Sequence, residues 1–163
     1  AHGAVLAAGY TVESPAKAMI TTEGVVAITR DSPAKLFTDL LRITLDELNW
    51  LDWLEDRLRH NHFAIVQSSA LFSLYLLHRH PSGTLEDFFR RFAKAYPAYL
   101  RPANGNPGIE DFLREQFETL FFFHFCRLFG LVRIRLANPD ERDQDKDKYE
   151  ATELFRTAFN WKM

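Results

Sequence analysis

"FETLFFFHFCRLFGLVRIRL", Phe117 to Leu136, joins two kinds of pattern at one glycine. As far as Phe129 the run is crowded with aromatic residues and shows no alternation. Beyond Gly130, "LVRIRL" alternates apolar and basic residues with a period of two, which is how a strand with one buried face reads. A glycine between such segments sits where helices commonly end on a left-handed residue. The reading is therefore a helix that stops at Gly130 and a strand that starts after it. Upstream, Asn106 supplies an N-cap and Pro107 a first helical residue, so one long helix is predicted from Pro107 to Phe129. Downstream, "ANPDERDQDKDK" is a charged loop, and "YEATELFRTAFNW" starts with strand spacing and ends with helical spacing. The C-terminal part is thus a β-hairpin with a closing turn of helix.

Capping signals organise the middle of the chain. "DSPAKLFTDLLRI" places Ser32 as a cap and Pro33 after it, with Leu36, Leu40 and Ile43 on one face. "TLDELNWLDWLEDRLRHN" offers Thr44 and Glu47 in capping-box spacing and a stripe of Leu48, Leu51, Leu54 and Leu58, so a second helix is expected to begin at Thr44. "FAIVQSSALFSLYLLHRHPSG" is apolar on nearly all sides and reads as a central buried helix stopped by "PSG". "TLEDFFRRFAKAYPAYL" has Thr84 and Asp87 in box spacing and Phe88, Phe89 and Phe92 facing inward, and is cut by Pro97. "RPANGNPG" reads as loop. In residues 1–30, "AMITTEGVVAIT" suggests two short strands about Glu23 and Gly24, preceded by a turn or a single helical turn in "TVESPAKA". The expected organisation is an N-terminal extension or short hairpin over 1–30 and a helical domain over 31–163. The class is mainly α: about five helices with a small C-terminal β-hairpin.

The chain has 163 residues, 47% of them hydrophobic and 26% charged, enough for one domain with a real core. A formal charge of −2 gives no global attraction to nucleic acid or to an anionic membrane. The run Phe63 to Leu77, free of charge and of histidine and followed by His78, Arg79 and His80, is too short to span a bilayer, so no membrane is expected. The single cysteine, Cys126, lies in an apolar run and cannot form an internal disulfide, which fits a reducing cytoplasm. The opening "AHGAVLAAGY" lacks the basic start and apolar core of a secretion signal, and a start at Ala1 fits a piece of a longer protein.

Buried helix, short helix, long helix, glycine, strand, loop and strand, in that order, resemble a winged-helix domain. "FGLVRIRL" looks like the end of its third helix and first wing strand, and "YEATELF" like its second wing strand. The resemblance covers about Phe63 to Trp161 and rests on element order. It implies a nucleic-acid-binding regulator, yet the residues that would meet a duplex argue against one. Between Ala137 and Lys148 stand Asp140, Glu141, Asp143, Asp145 and Asp147 against Arg142, Lys146 and Lys148. The long helix starts with Glu110 and Asp111 and adds Glu115 and Glu118 around Arg114, where base contacts would be made. Phosphate contacts supply most non-specific affinity, and these carboxylates would repel them. The basic cluster that could hold an anion or nucleic acid is Arg90, Arg91, Lys94 and Arg101.

No metal or cofactor is expected. His60 and His62, and His78 and His80, are two apart, a spacing that turns helical side chains away from each other, whereas ligands on one face sit three or four apart. "DQDKDK" begins like a calcium loop, but the required glycine is replaced by Lys148 and the bidentate glutamate by Leu154. Nucleophile elbows, phosphate-binding glycine loops and zinc-protease signatures are missing, and a dispersed catalytic site would leave no local trace. The 15 phenylalanines, and above all "FFFHF", exceed what one partner element can cover, because consecutive positions step about 100° around a helix. Those rings are either enclosed or form an aromatic patch for a protein partner or self-association. The sequence thus favours a non-catalytic protein-interaction or regulatory module. The alternatives are a nucleic-acid-binding winged-helix regulator and an enzyme with a dispersed site.

Overall fold

The structure, a computed structural model, describes residues 11–13, 18–20, 30, 32–54, 61–137 and 146–159. The chain is mainly helical with small antiparallel sheets, and it divides after Asn49 into two compact units.

In the first unit, β1 (Thr11–Glu13) pairs antiparallel with β2 (Ala18–Ile20), with Thr11 opposite Ile20. "TVE" is therefore strand and not a turn, and the proposed turn at Glu23 and Gly24 lies outside the described residues. Helix α1 (Pro33–Asp46) starts as expected, with Ser32 Oγ accepting from the Lys35 amide at 3.2 Å. It does not restart at Thr44. That residue is inside α1 and fully buried, and the helix ends where the Glu47 and Leu48 amides both donate to Ile43 O. A capping box needs an extended residue at its cap, and the backbone at Thr44 is already helical. The expected leucine stripe instead enters a short 3₁₀ turn, Trp50–Trp53, at the start of the second unit, and Leu58 lies outside the described residues.

The second unit holds the larger core. The expected central helix is two pieces, α2 (Ala64–Ser68) and α3 (Ala70–Arg79), broken at Ser69, whose hydroxyl donates to Ile65 O at 2.5 Å and whose amide bonds the same carbonyl. Side-chain bonding back onto the preceding turn competes with the helix ladder and bends it. Nor is the helix enclosed all round, since Leu71 is 61% exposed. After it comes β3 (Ser82–Thr84), then α4 (Leu85–Ala95), capped by Thr84 Oγ1 accepting from the Asp87 amide at 3.1 Å. "RPANGNPG" is only half loop: Pro97–Ala103 forms a 3₁₀ helix that closes on left-handed Asn104, and Gly105 follows with φ of 77°.

Helix α5 (Pro107–Glu118) begins at Asn106, whose Oδ1 accepts from the Gly108 amide at 3.0 Å. Its axis then continues as a π-helix over Thr119–Cys126. The end is the one foreseen: Gly130 has φ of 65°, its amide bonds Arg127 O at 3.1 Å, and the Leu131 amide bonds Cys126 O at 2.8 Å. This pair of bonds is the Schellman motif, which satisfies carbonyls that the helix end would leave open.

Strands β4 (Val132–Arg135) and β5 (Lys148–Ala151) then pair antiparallel, and β3 adds to the far side of β5, giving the order β3-β5-β4. Gly83, Tyr149 and Ile134 form one row across the sheet. Tyr149 is buried against Phe88 at 5.4 Å and Phe122 at 5.1 Å, and its hydroxyl donates to His80 O at 2.9 Å. The neighbouring rows, Ser82–Glu150–Arg133 and Thr84–Lys148–Arg135, occupy the opposite face, as the pleat requires. Helix α6 (Glu153–Ala158) follows, and its cap Thr152 ties back to the Schellman turn by donating to Gly130 O at 2.7 Å.

Candidate functional site

The aromatic run is mostly core. Phe121, Phe122 and Phe125 are fully buried, and with Phe88, Phe92, Tyr99 and Phe117 they form a contact network whose closest pair, Phe92 and Phe117, has ring centroids 4.3 Å apart. Of the two readings of "FFFHF", enclosure is the one that holds for Phe121, Phe122 and Phe125. A π-helix uses i→i+5 bonds and widens the turn, which changes where successive side chains point. Trp50 stacks on Phe125 at 4.7 Å and Trp53 on His124 at 5.8 Å, closing another side of the helix. Burial holds the His124 imidazole below its ordinary pKa and pushes the fully buried Cys126 thiol well above its own, so this thiol is not poised to react.

The four cations singled out in the sequence come from two neighbouring elements. Arg90, Arg91 and Lys94 are exposed on α4 and Arg101 is exposed on the 3₁₀ segment. Arg90 is engaged by Glu86, one turn back on its own helix, and by Asp87 at 3.9 Å. Burial, then Arg91 and Arg79, hold the His80 pKa below its ordinary value, and burial raises Tyr149 to about 12, with Arg91 partly opposing it.

The outward side of α5 is acidic and apolar together. Glu110, Asp111 and Glu115 are exposed, and Ile109 and Phe112, three apart and hence neighbours on the helix surface, are each 39% exposed. Arg114 does not offset them toward solvent. Its side chain is 14% exposed and pairs with Asp111 at 3.2 Å and with Glu86 of α4 at 4.0 Å. Phe112 is held at its base by an edge contact to Phe63, 6.1 Å between centroids. Glu118, counted from sequence among the acids of this face, is fully buried.

Asp147, read from sequence as a charge of the wing loop, is fully buried, and its Oδ1 accepts from the Ala137 amide at 2.9 Å. It closes the base of the hairpin, while Asp140, Glu141, Asp143 and Asp145 lie outside the described residues. The sheet carries a cleft of about 480 Å³ lined by Gly83, Thr84, Asp87, Arg135, Lys148 and Glu150 among others. One charge pair lies within it, with Arg135 Nη2 3.3 Å from Glu150 Oε2. Sequence reasoning had no access to this cleft, since it is made by the register of three strands, one of them unforeseen.

No group of three or more histidine, cysteine, aspartate or glutamate side chains among the described residues is placed to hold a metal ion. His62, one of the paired histidines, is engaged otherwise: its Nε2 lies 2.7 Å from Tyr99 O and its ring stacks on that tyrosine. Among the described residues no helix is long and apolar enough to cross a membrane. No protein-family model, no curated protein and no solved structure matches the chain.

Proposed function

We propose that the second unit is a winged-helix-like module that works by binding another protein, without catalysis of its own. What supports the likeness is the order of elements, α3, β3, α4, α5, β4, β5, together with the antiparallel strand order β3-β5-β4. The helix that would enter a major groove in such a fold is α5.

The observation that carries the interaction reading is the charge on that helix. Glu110, Asp111 and Glu115 face solvent where phosphate would lie, and the one arginine of the first three turns is engaged by two carboxylates. Carboxylates there repel a backbone that contributes most non-specific affinity, whereas exposed Ile109 and Phe112 are groups that protein partners cover. A regulatory role in the cytoplasm fits this reading, and the lone, fully buried thiol of Cys126 suits that compartment.

Titration of random duplex DNA at physiological salt tests the reading. Binding weaker than the roughly 10⁻⁴ to 10⁻⁶ M of ordinary non-specific binders is expected. Any binding at low salt should disappear when Arg90, Arg91 and Lys94 are replaced together. Tight binding at physiological salt that depends on Arg114 or on the hairpin would instead make the module a nucleic-acid-binding regulator.

A further inference from the structure

We infer that the outer edge of β4 is a docking site for an extended acidic segment of another protein, which joins the sheet as an added strand. This rests on the protein-interaction reading above and adds where the partner binds and what chemistry it carries. The Thr152 amide donates to Leu131 O at 3.0 Å, so the register makes Arg133 with Glu150, and Arg135 with Lys148, the bonded pairs of the ladder. Val132 and Ile134 are the alternate residues, and they turn their amides and carbonyls away from β5. The other side of β5 agrees with this parity: the Ala151 amide bonds Pro81 O, and Asp147 O accepts from the Leu85 amide, both toward β3.

Among the described residues no strand pairs with the outer side of β4, and no hydrogen bond outside the sheet reaches Val132 or Ile134. Val132 is buried, whereas Ile134 is half-buried and Arg133, Arg135 and Leu136 are exposed, so the open stretch is 133–136. An unpaired edge is a template for another chain. Main-chain bonds give such a complex its affinity, and alternate side chains give it specificity.

The side chains of this edge select the partner. Ile134 lies on the core face in the row of Tyr149, and Leu136, just past the strand, is 42% exposed. Arg133 and Arg135 share the opposite face, as alternate residues must. Glu150 engages Arg135 at 3.3 Å, while among the described residues Arg133 and the neighbouring Lys148 have no ion-pair partner. An added strand therefore suits an apolar residue opposite Ile134 and carboxylates on either side of it, opposite Arg133 and Arg135. Opposite charges across a strand pair stabilise it, and like charges directly opposite do the reverse.

That same rule disfavours a second copy of this chain. Antiparallel pairing of two β4 edges about Ile134 would set Arg133 of one against Arg135 of the other. A nucleic acid would meet the arginines but would not bring the alternating donors and acceptors that the Ile134 amide and carbonyl lack.

The test uses the full chain labelled with ¹⁵N and a short probe peptide alternating valine and glutamate. One control peptide carries lysine in place of glutamate, and another carries N-methylated amides, which keep the side chains and remove the backbone donors. Amide shifts centred on 133–136 and slower hydrogen exchange at the Ile134 amide are expected with the probe alone. Ile134→Pro removes an amide that β5 does not use, and proline is accepted on a strand edge, so binding should be lost with the fold kept. Arg133→Gln, at an exposed position, should weaken the probe by about twofold to fivefold, the worth of one cross-strand charge pair. It stays decisive if Ile134→Pro destabilises the sheet. Shifts centred elsewhere, equal binding of either control peptide, indifference to Arg133→Gln, or no binding would overturn the inference. So would a dimer seen by sedimentation without peptide and abolished by Ile134→Pro, since a second copy would then be the occupant. The DNA titration separates the two levels: a silent β4 edge with no duplex binding removes this inference alone, whereas tight duplex binding removes the reading beneath it.

Discussion

Helix α5 and the π-helix that continues it lie on one chain axis and meet opposite fates. Pro107–Glu118 begins exposed on every side, from Pro107 to Phe112, and then buries Leu113, Gln116 and Phe117 while Glu115 stays exposed. Thr119–Cys126 buries Leu120, Phe121, Phe122, Phe125 and Cys126, leaving only Thr119, Phe123 and His124 partly exposed. The difference is one of neighbours. The first half is met by α4, by the 3₁₀ segment and by Phe63, while the second is approached by the Trp50–Trp53 turn, by α4 and by the sheet. A helix is enclosed only where elements distant in sequence reach it from several directions, and a switch to π geometry accompanies that enclosure here.

Truncating one ring in each half gives the largest contrast. Phe122→Ala should cost about 3–5 kcal/mol, as expected when a fully buried aromatic leaves a cavity, whereas Phe112→Ala should cost under about 1 kcal/mol. Urea midpoints at unchanged slope measure both, and equal losses would break the distinction between a core half and a surface half.

The two ends of the helix sharpen it further. Gly130→Val forces a β-branched residue to φ of 65° and should destabilise by about 1–2 kcal/mol. Space is not the reason, since a Cβ there would meet Leu154 Cδ2 at an ordinary 3.7 Å. Thermal melting of Gly130→Val beside Gly130→Asn, which tolerates the left-handed region, separates strain from lost packing. At the open end, Asn106→Ala removes the cap on the Gly108 amide and should cost about 1 kcal/mol, read from the same melts.

The smallest effect concerns pH. Burial lowers the His124 pKa in the folded chain, so its proton is bound more weakly there than in the unfolded chain, where the value is about 6.5. The unfolded state therefore takes up more protons as pH falls below about 6.5, and stability drops with it. His80, lowered by burial and by Arg91 and Arg79, adds in the same direction. Denaturation midpoints between pH 7.5 and 5 should decline, and His124→Phe should flatten the decline. A slope unchanged in that variant would show that the partly exposed edge of the π-helix plays no part in it.

Local signals were legible where a few consecutive residues bond to one another. Ser32, Thr84 and Asn106 cap the helices they were expected to cap, and Gly130 ends its helix in the left-handed region. The alternation of "LVRIRL" became β4, with Val132 buried and Arg133 and Arg135 exposed. Thr44 misled for the same local reason: it has the spacing of a capping box, and only the continuing ladder of α1 shows that its backbone is helical. The basic cluster was legible as composition, and Arg90, Arg91, Lys94 and Arg101 are all exposed, but the engagement of Arg90 by Glu86 and Asp87 was not written in any spacing that was read.

The sequence by itself determined the mainly helical class, the starts of α1, α4 and α5, the stop at Gly130 and the acidity of α5, since capping, chirality and charge act within one or two turns. Tertiary structure alone decided the rest. "SGT" carries no period-two apolar signal, and it is a strand only because β5 lies beside it. Which phenylalanines of "FFFHF" vanish into the core, and which residues of α5 stay wet, follows from the elements that pack against each turn. Those elements come from residues up to 75 positions away, as Trp50 stacking on Phe125 illustrates, and no pattern within one helix can encode whether such a neighbour arrives.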